Sequence, residues 1–246
     1  MNIFKKNKKQ ISIFITAGYP KLESLNEQLD LLESSGIDFV EVGIPFSDPL
    51  ADGPTIQETS QIAIENGMNL PLLFDQLTHR TTKMPLVIMG YLNPVLNYGI
   101  DNFLDACQSL AISSVILPDL SIEIYERFYQ AKFEARGVYP SFLITPESTE
   151  ERIIKTAEIC KNSFVYLVSS NATTGGENDF DRLERYTEIK SLCGTTPMFI
   201  GFGIKTREDV AKVQSVSDGA IIGSAYLKAV SKGNERSMLD KLTKKR

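Results

Sequence analysis

What most constrains this chain is an alternation of period. Short β-rich apolar runs recur along its whole length, and helix-period amphipathic stretches separate them. The runs are Ile11–Thr16, Phe39–Gly43, Leu86–Tyr91, Ser114–Leu117, Ser141–Ile144, Phe164–Val168, Met198–Gly201 and Ala220–Ile222. Between and after them lie Leu22–Ser34, Ile56–Glu65 with Leu70–Thr81, Asn102–Ser109, Glu123–Ala135, Thr149–Lys161, Phe180–Ser191, Thr206–Val213 and Ala225–Val230. In the first of these, Leu22, Leu25, Leu29 and Leu32 fall on one face, and Gly36 follows as a stop. "TRED" opens the seventh as a capping box from Thr206 to Asp209. Strict βα alternation requires a parallel sheet with helices outside it. Eight repeats in 246 residues predict a closed (β/α)8 (TIM) barrel of the α/β class. A doubly wound sheet would carry G-x-G-x-x-G after its first strand, and the sequence there is "AGYPKLES". No linker or low-complexity segment divides the chain, so residues 1–246 are expected to form one domain.

Composition removes several kinds of chemistry. The net charge of −5 leaves no general basic face for nucleic acid or an anionic membrane, although a local site can still hold an anionic small molecule. No apolar stretch reaches membrane-spanning length. The lysines before "ISIFITA" imitate a leader, but that run is short, alternates polar with apolar, and reads as the first strand. Cys107, Cys160 and Cys193 are odd in number and far apart, as expected of reduced thiols in a cytoplasmic protein. The lone histidine, His79, reads as a surface residue near a helix end. Without a histidine cluster there is no expected metal site and no Ser-His-Asp triad. Proton transfer must then rest on carboxylates, lysine or tyrosine.

In a barrel, reactive groups lie at the C-terminal ends of the strands and in the loops beyond them. One stretch there is unusual: "EVGIPFSDPLADGPTIQ", residues 41–57. Glu41 falls on the same strand face as Phe39 and Gly43, opposite Val40, Val42 and Ile44. A carboxylate in a strand covered on both sides is either half of a buried ion pair or a group whose pKa burial has raised for proton exchange. Asp48 and Asp52 each fit ordinary turn chemistry beside Pro and Gly. Asp52 also lies on a loop long enough to fold back over the barrel mouth. "IGFGIK" closes the seventh strand and "IIGSAY" the eighth, the two places where barrels commonly cradle phosphate. There Gly203 and Gly223 leave backbone N–H groups open to close approach, and Ser224 adds a hydroxyl at a helix start. "SSNATTGGENDFD", residues 169–181, reads as a glycine-rich lid or a surface loop. Tyr91 and Tyr166 sit at or near strand ends, and Asp119 ends the fourth strand as a helix cap or a supporting group.

These residues resemble the tryptophan synthase alpha chain family over essentially the whole length. The family signature is "ELG-PFSDP-ADGP-IQ", and further matches are "FITAGYP", "MGYLNP", "LPDL", "TTGGEN", "GFGI" and "GSA", in the family's order. The resemblance implies a (β/α)8 barrel that cleaves indole-3-glycerol phosphate to indole and glyceraldehyde 3-phosphate. It implies that Glu41 and Asp52 are the acid–base pair with Tyr166 beside the reacting centre. Phe14, Ile56 and Tyr91 would wall the indole, and Thr174, Gly175, Phe202, Gly203, Gly223 and Ser224 would hold the phosphate end. It further implies a β-chain partner in an α2β2 heterotetramer, met by the loop holding Pro45 and Asp48. Pyridoxal phosphate would sit on that partner, with no cofactor on this chain. Two departures from the family pattern are Ser170–Gly175, which lacks the arginine often found after the serine of the sixth strand, and Ser121 where proline is usual. Two other readings need different chemistry. A purely activating subunit would lack one of the two carboxylates, and a sugar-phosphate isomerase would leave the signature loop without a role.

Overall fold

A computed structural model describes residues 3–169, 183–201 and 203–243. Its strands are β1 (Gln10–Thr16), β2 (Phe39–Gly43), β3 (Leu86–Met89), β4 (Ser114–Ile116), β5 (Tyr139–Pro140), β6 (Leu143–Ile144), β7 (Val165–Val168), β8 (Met198–Gly201) and β9 (Gly219–Ile222). They pair in the order β5-β4-β3-β2-β1-β9-β8-β7-β6, every pair parallel. At the two ends of that order, β6 is the second half of the expected fifth strand, Ser141–Ile144, while β5 lies just ahead of it, outside the expected range. Ser141 N–H donates to the Val115 carbonyl (2.8 Å) and Tyr166 N–H to the Phe142 carbonyl (3.0 Å), so the ring closes through the break. The barrel therefore has eight staves, the fifth of them kinked.

The kink is a correction to the continuous strand expected over Ser141–Ile144, and its causes are local. Pro140 has no N–H for a ladder. The Phe142 N–H turns aside to Cys160 Sγ (3.3 Å), while the Ser163 hydroxyl donates to the Pro140 carbonyl (2.5 Å). Both interrupted groups are thus satisfied without the strand, as buried backbone requires.

The inner face of the barrel is set by register. Phe14, Glu41 and Val87 lie side by side on β1, β2 and β3, so all three point the same way. Val40, Val42 and Ile88 point outward under the helices and are completely buried. At the N-terminal end the interior is filled by four rings. Phe4 packs on Phe39 (5.2 Å between centroids) and Phe164 (4.7 Å), and Phe199 packs on Phe164 (5.0 Å) and Phe39 (5.3 Å). Below them Asp218, wholly buried, accepts from Asn7 N–H (2.7 Å), Met198 N–H (2.9 Å) and Lys190 Nζ (3.0 Å).

The outer layer holds the helices that matter to the site: α1 (Ser24–Ser34), α2 (Pro54–Glu65), α3 (Leu70–Thr78) and α4 (Leu92–Tyr98). Later in the chain come Arg207–Val216, Ser224–Ser231 and Glu235–Thr243. The helix α4 was not expected, and the strand before it stops at Met89 rather than Tyr91. Pro94 obscured it in the sequence, but proline is tolerated in a first turn, where the N–H has no intrahelical acceptor. Its first N–H, that of Leu92, is capped by both oxygens of Asp119 (2.9 and 3.1 Å), which settles the role of that aspartate. Glu235–Thr243 was also missed, because within it only Leu239 and Leu242 are buried. Ser121, at the position where the family usually has proline, caps the next helix by accepting from Ile124 N–H (3.3 Å). The capping box at Thr206 and Asp209 is present in full.

Candidate active site

The C-terminal end of the barrel opens into a cleft of about 520 Å³. Glu41, Asp52 and Tyr166 line it together with Phe14, Ile56 and Met89, and its far side is formed by Gly203, Lys205, Gly223 and Ser224. Residues from β1, β2, β3, β7 and the loops after β8 and β9 thus converge on one space.

Glu41 is completely buried, and neither carboxylate oxygen has a hydrogen-bond partner among the described residues. The ion-pair reading of its burial therefore fails. Desolvation alone pushes its pKa to about 8, so at neutral pH it is mostly a neutral acid. Asp52 is shifted in the same direction but less far. Burial raises its pKa to about 6, and the hydrogen bond from Tyr91 holds it down. The residue as a whole is partly exposed, but Oδ1 is shut off from solvent and unpaired. Oδ1 is thus the oxygen free to meet a ligand in the cleft. Two nearby carboxylates in different environments, one protonated and one ionised near pH 7, can divide acid and base roles.

The loop that carries Asp52 is tied down. Asp52 N–H donates to the Pro49 carbonyl (3.0 Å), and Pro54 begins α2 at a position where no N–H is needed. Tyr91 clamps the loop from the side. Its hydroxyl accepts from Ala51 N–H (2.9 Å) and donates to Asp52 Oδ2 (3.0 Å), while its ring stacks on Phe46 at 5.0 Å. Expected only as an indole wall, Tyr91 lies in the adjoining pocket with Asp52, Phe14 and Ile56, and acts on the aspartate directly. Tyr91→Phe removes a bond that lowers the Asp52 pKa. The acid limb of the kcat/KM–pH profile is then expected to move upward, with activity at pH 7 falling several-fold and activity at pH 8.5 nearly retained.

Tyr166 is buried, and its phenol is held well above its ordinary pKa, first by burial and then by the charges of Glu41 and Asp52. It is a hydrogen-bond donor at any working pH. Its position depends on a glycine-sized gap at Gly201, and that of Phe14 on one at Gly43. A Cβ on Gly201 would strike the Tyr166 hydroxyl and ring, and one on Gly43 would strike the Phe14 ring. Gly201→Ala is expected to cost about 1–3 kcal/mol by overpacking. It should also push Tyr166 into the cleft, visible as a lowered melting temperature together with loss of turnover.

At the other end of the cleft, Gly203 has φ +76°, a left-handed conformation natural to glycine. Gly223 precedes the helix Ser224–Ser231, whose N-terminus has no side-chain cap. Its first-turn N–H groups are therefore available to an anion. Lys205 was not singled out from sequence. Only its place directly after "GFGI" marked it, and it brings a cation to this end. Thr174, Gly175 and Phe202, and the expected lid almost entirely, lie outside the described residues. Of the two expected interface residues, Asp48 is exposed but Pro45 is buried and offers no surface. The exposed apolar side chain of that loop is Leu50, at 90%. His79 is exposed at the end of α3 and takes no part in the cleft. Among the described residues no group of three His, Cys, Asp or Glu side chains could hold a metal, and no helix is long and apolar enough to cross a membrane.

The fold and cleft together define a (β/α)8 barrel with two unlike carboxylates at its mouth and open helix N–H groups beyond its last strand. Comparison with known proteins makes this specific. The family model of the tryptophan synthase alpha chain matches residues 1–246, and the chain belongs to that family. It is 44% identical over 238 residues to the tryptophan synthase alpha chain of Flavobacterium psychrophilum, covering 95% of this chain and 94% of that one. Among solved structures it is similar to tryptophan synthase from Mycobacterium tuberculosis, with TM-score 0.87 and 29% identity over 97% of this chain and 92% of that one. It is also similar to a mutant tryptophan synthase alpha-subunit from Pyrococcus furiosus, with TM-score 0.84 and 30% identity over 97% and 98%.

Proposed function

We propose that this chain cleaves indole-3-glycerol phosphate to indole and glyceraldehyde 3-phosphate, with Glu41 and Asp52 as its acid–base pair. The observation that carries this reading is the dry, unpaired Glu41 carboxyl facing the same cleft as the clamped Asp52. A retro-aldol cleavage needs both protonation states. The neutral Glu41 carboxyl delivers a proton to indole C3, and positive charge builds on the ring nitrogen. Asp52, ionised, accepts the indole N–H and relieves that charge. Glu41, now a carboxylate, takes the proton from the side-chain hydroxyl. The hydroxyl carbon becomes the aldehyde carbonyl, the bond from that carbon to indole C3 breaks, and its electron pair returns to the ring. One proton leaves Glu41 and one returns, so the enzyme ends as it began. The neutral Tyr166 phenol hydrogen-bonds within the same centre. The phosphate lies at Gly203, Gly223 and Ser224, against the open N–H groups of the helix.

The indole then passes to a tryptophan synthase β chain for condensation to L-tryptophan, in an α2β2 complex in the cytoplasm. Pyridoxal phosphate belongs to that partner, and this chain works without a cofactor of its own. The loop with Asp48 and Leu50 supplies the docking edge, since burying an exposed leucine returns hydrophobic free energy.

The direct test is indole release from indole-3-glycerol phosphate, with and without a β chain. Activity in both, higher with the partner, is expected; no indole in either would overturn the reading. The pH profile is a further test. Catalysis needs Asp52 ionised and Glu41 protonated, so kcat/KM should be bell-shaped, with limbs near the pKa values of about 6 and about 8.

A further inference from the structure

Beside the mouth of the active cleft lies a second hollow of about 650 Å³, and it shares Lys205 and Ala225 with the cleft. Four lysines line it, Lys205, Lys228, Lys232 and Lys241, with Asn234 and Ser237 as further polar groups. No carboxylate lines it; Glu208 and Asp240 belong to the adjoining groove. None of the four ammonium groups has an ion pair or hydrogen bond among the described residues. Four like charges in one hollow of a chain with net charge −5 repel one another, with no compensating ion pair among the described residues.

Their arrangement follows the helix that begins at the anion-binding end. Ser224, Lys228 and Lys232 are spaced four apart, so they form one stripe along Ser224–Ser231 and its C-cap. At 1.5 Å per residue, the stripe runs about 12 Å outward from Ser224. Lys205 and Lys241 flank it from two other elements.

We propose that these lysines form a second, weaker anion site that captures the phosphate monoester of the substrate before it enters the cleft. This deepens the function proposed above and rests on it. The phosphate first exchanges its water for the Lys228, Lys232 and Lys241 ammonium groups. Lys205, common to both spaces, then hands it to the N–H groups at Gly223 and Ser224. Attraction of this kind acts over about 10 Å at 0.1 M salt and is largely screened at 1 M.

The test is the triple variant K228Q/K232Q/K241Q, which leaves Lys205 and the cleft intact. At low salt its KM for indole-3-glycerol phosphate is expected to rise roughly tenfold with kcat unchanged, and the difference should close at high salt. In the reverse reaction, KM for glyceraldehyde 3-phosphate should rise while KM for uncharged indole stays put. An unchanged KM at low salt, a gap that persists at high salt, or a parallel fall in kcat would each overturn the proposal. Equilibrium dialysis with inorganic phosphate at low salt gives a readout independent of turnover. The wild-type chain is expected to take up more phosphate than the triple variant, and equal uptake would refute the site. Absence of indole release by the wild type would instead refute the function, leaving the dialysis result to judge the lysines.

Discussion

Glu41→Gln abolishes indole release while leaving the barrel folded and able to bind a β chain. Glutamine matches glutamate in shape but can neither deliver a proton to indole C3 nor take one from the hydroxyl. A fall in kcat of more than about 10³-fold is expected, since general acid–base groups contribute about 10²–10⁴ and this one acts twice. Wild-type turnover in the variant would remove Glu41 from the mechanism. The same substitution has a thermodynamic signature. The folded-state pKa, about 8, lies above the unfolded one, so the unfolded chain releases this proton first as pH rises. Glu41 therefore lowers stability progressively between about pH 4.5 and pH 8, and the penalty levels off above that. The variant is spared it. Glu41→Gln should be more stable than wild type at pH 8.5, by on the order of 4 kcal/mol, and close to wild type at pH 4. Urea unfolding at the two pH values reads this directly. A variant no more stable at pH 8.5 would mean that Glu41 has a partner in solution.

Asp52→Asn is expected to cut kcat by about 10²–10³-fold, the usual cost of removing one preorganised group that meets developing charge. The amide keeps an acceptor oxygen near the indole N–H but has no negative charge to offset the ring cation. The Tyr91 hydroxyl still has a partner, so the loop should hold its place and binding of inorganic phosphate at the far end of the cleft should not change. Loss of phosphate binding with kcat preserved would place Asp52 at the wrong end of the site. The acid limb near pH 6 should also vanish from the residual profile, because the group responsible for it is gone.

The framework of the fold was legible because period is a strong signal. The alternation of apolar runs and amphipathic stretches gave the barrel, and the β1, β2 and β8 boundaries lie within a residue of those expected. The misses have physical reasons. The fifth strand reads as an unbroken Ser141–Ile144, without β5 ahead of it, because a kink satisfied by Cys160 Sγ and the Ser163 hydroxyl involves side chains distant in sequence. α4 was hidden by its own proline, and the last helix by its small apolar face. For the site, Glu41 was conspicuous as a charge in an apolar strand. Its partnerless state was not, since that depends on what every neighbouring stave does not supply. The Tyr91–Asp52 bond joins residues 39 apart and has no local signature. Pro45 shows the converse error: a signature residue was placed on a surface it does not reach.

The four phenylalanine rings at the bottom of the barrel act as insulation. Phe39 lies on the same strand face as Glu41, two residues below it, and the plug closes the end of the barrel opposite the substrate. Phe4 belongs to the segment ahead of β1, so the dielectric around the reactive carboxyl is set partly by residues outside the barrel wall. A leak at the floor would hydrate Glu41 from beneath and pull its pKa toward that of an ordinary carboxylate, even with every group at the mouth in place. The proton supply proposed for one end of this barrel thus depends on the watertightness of the other.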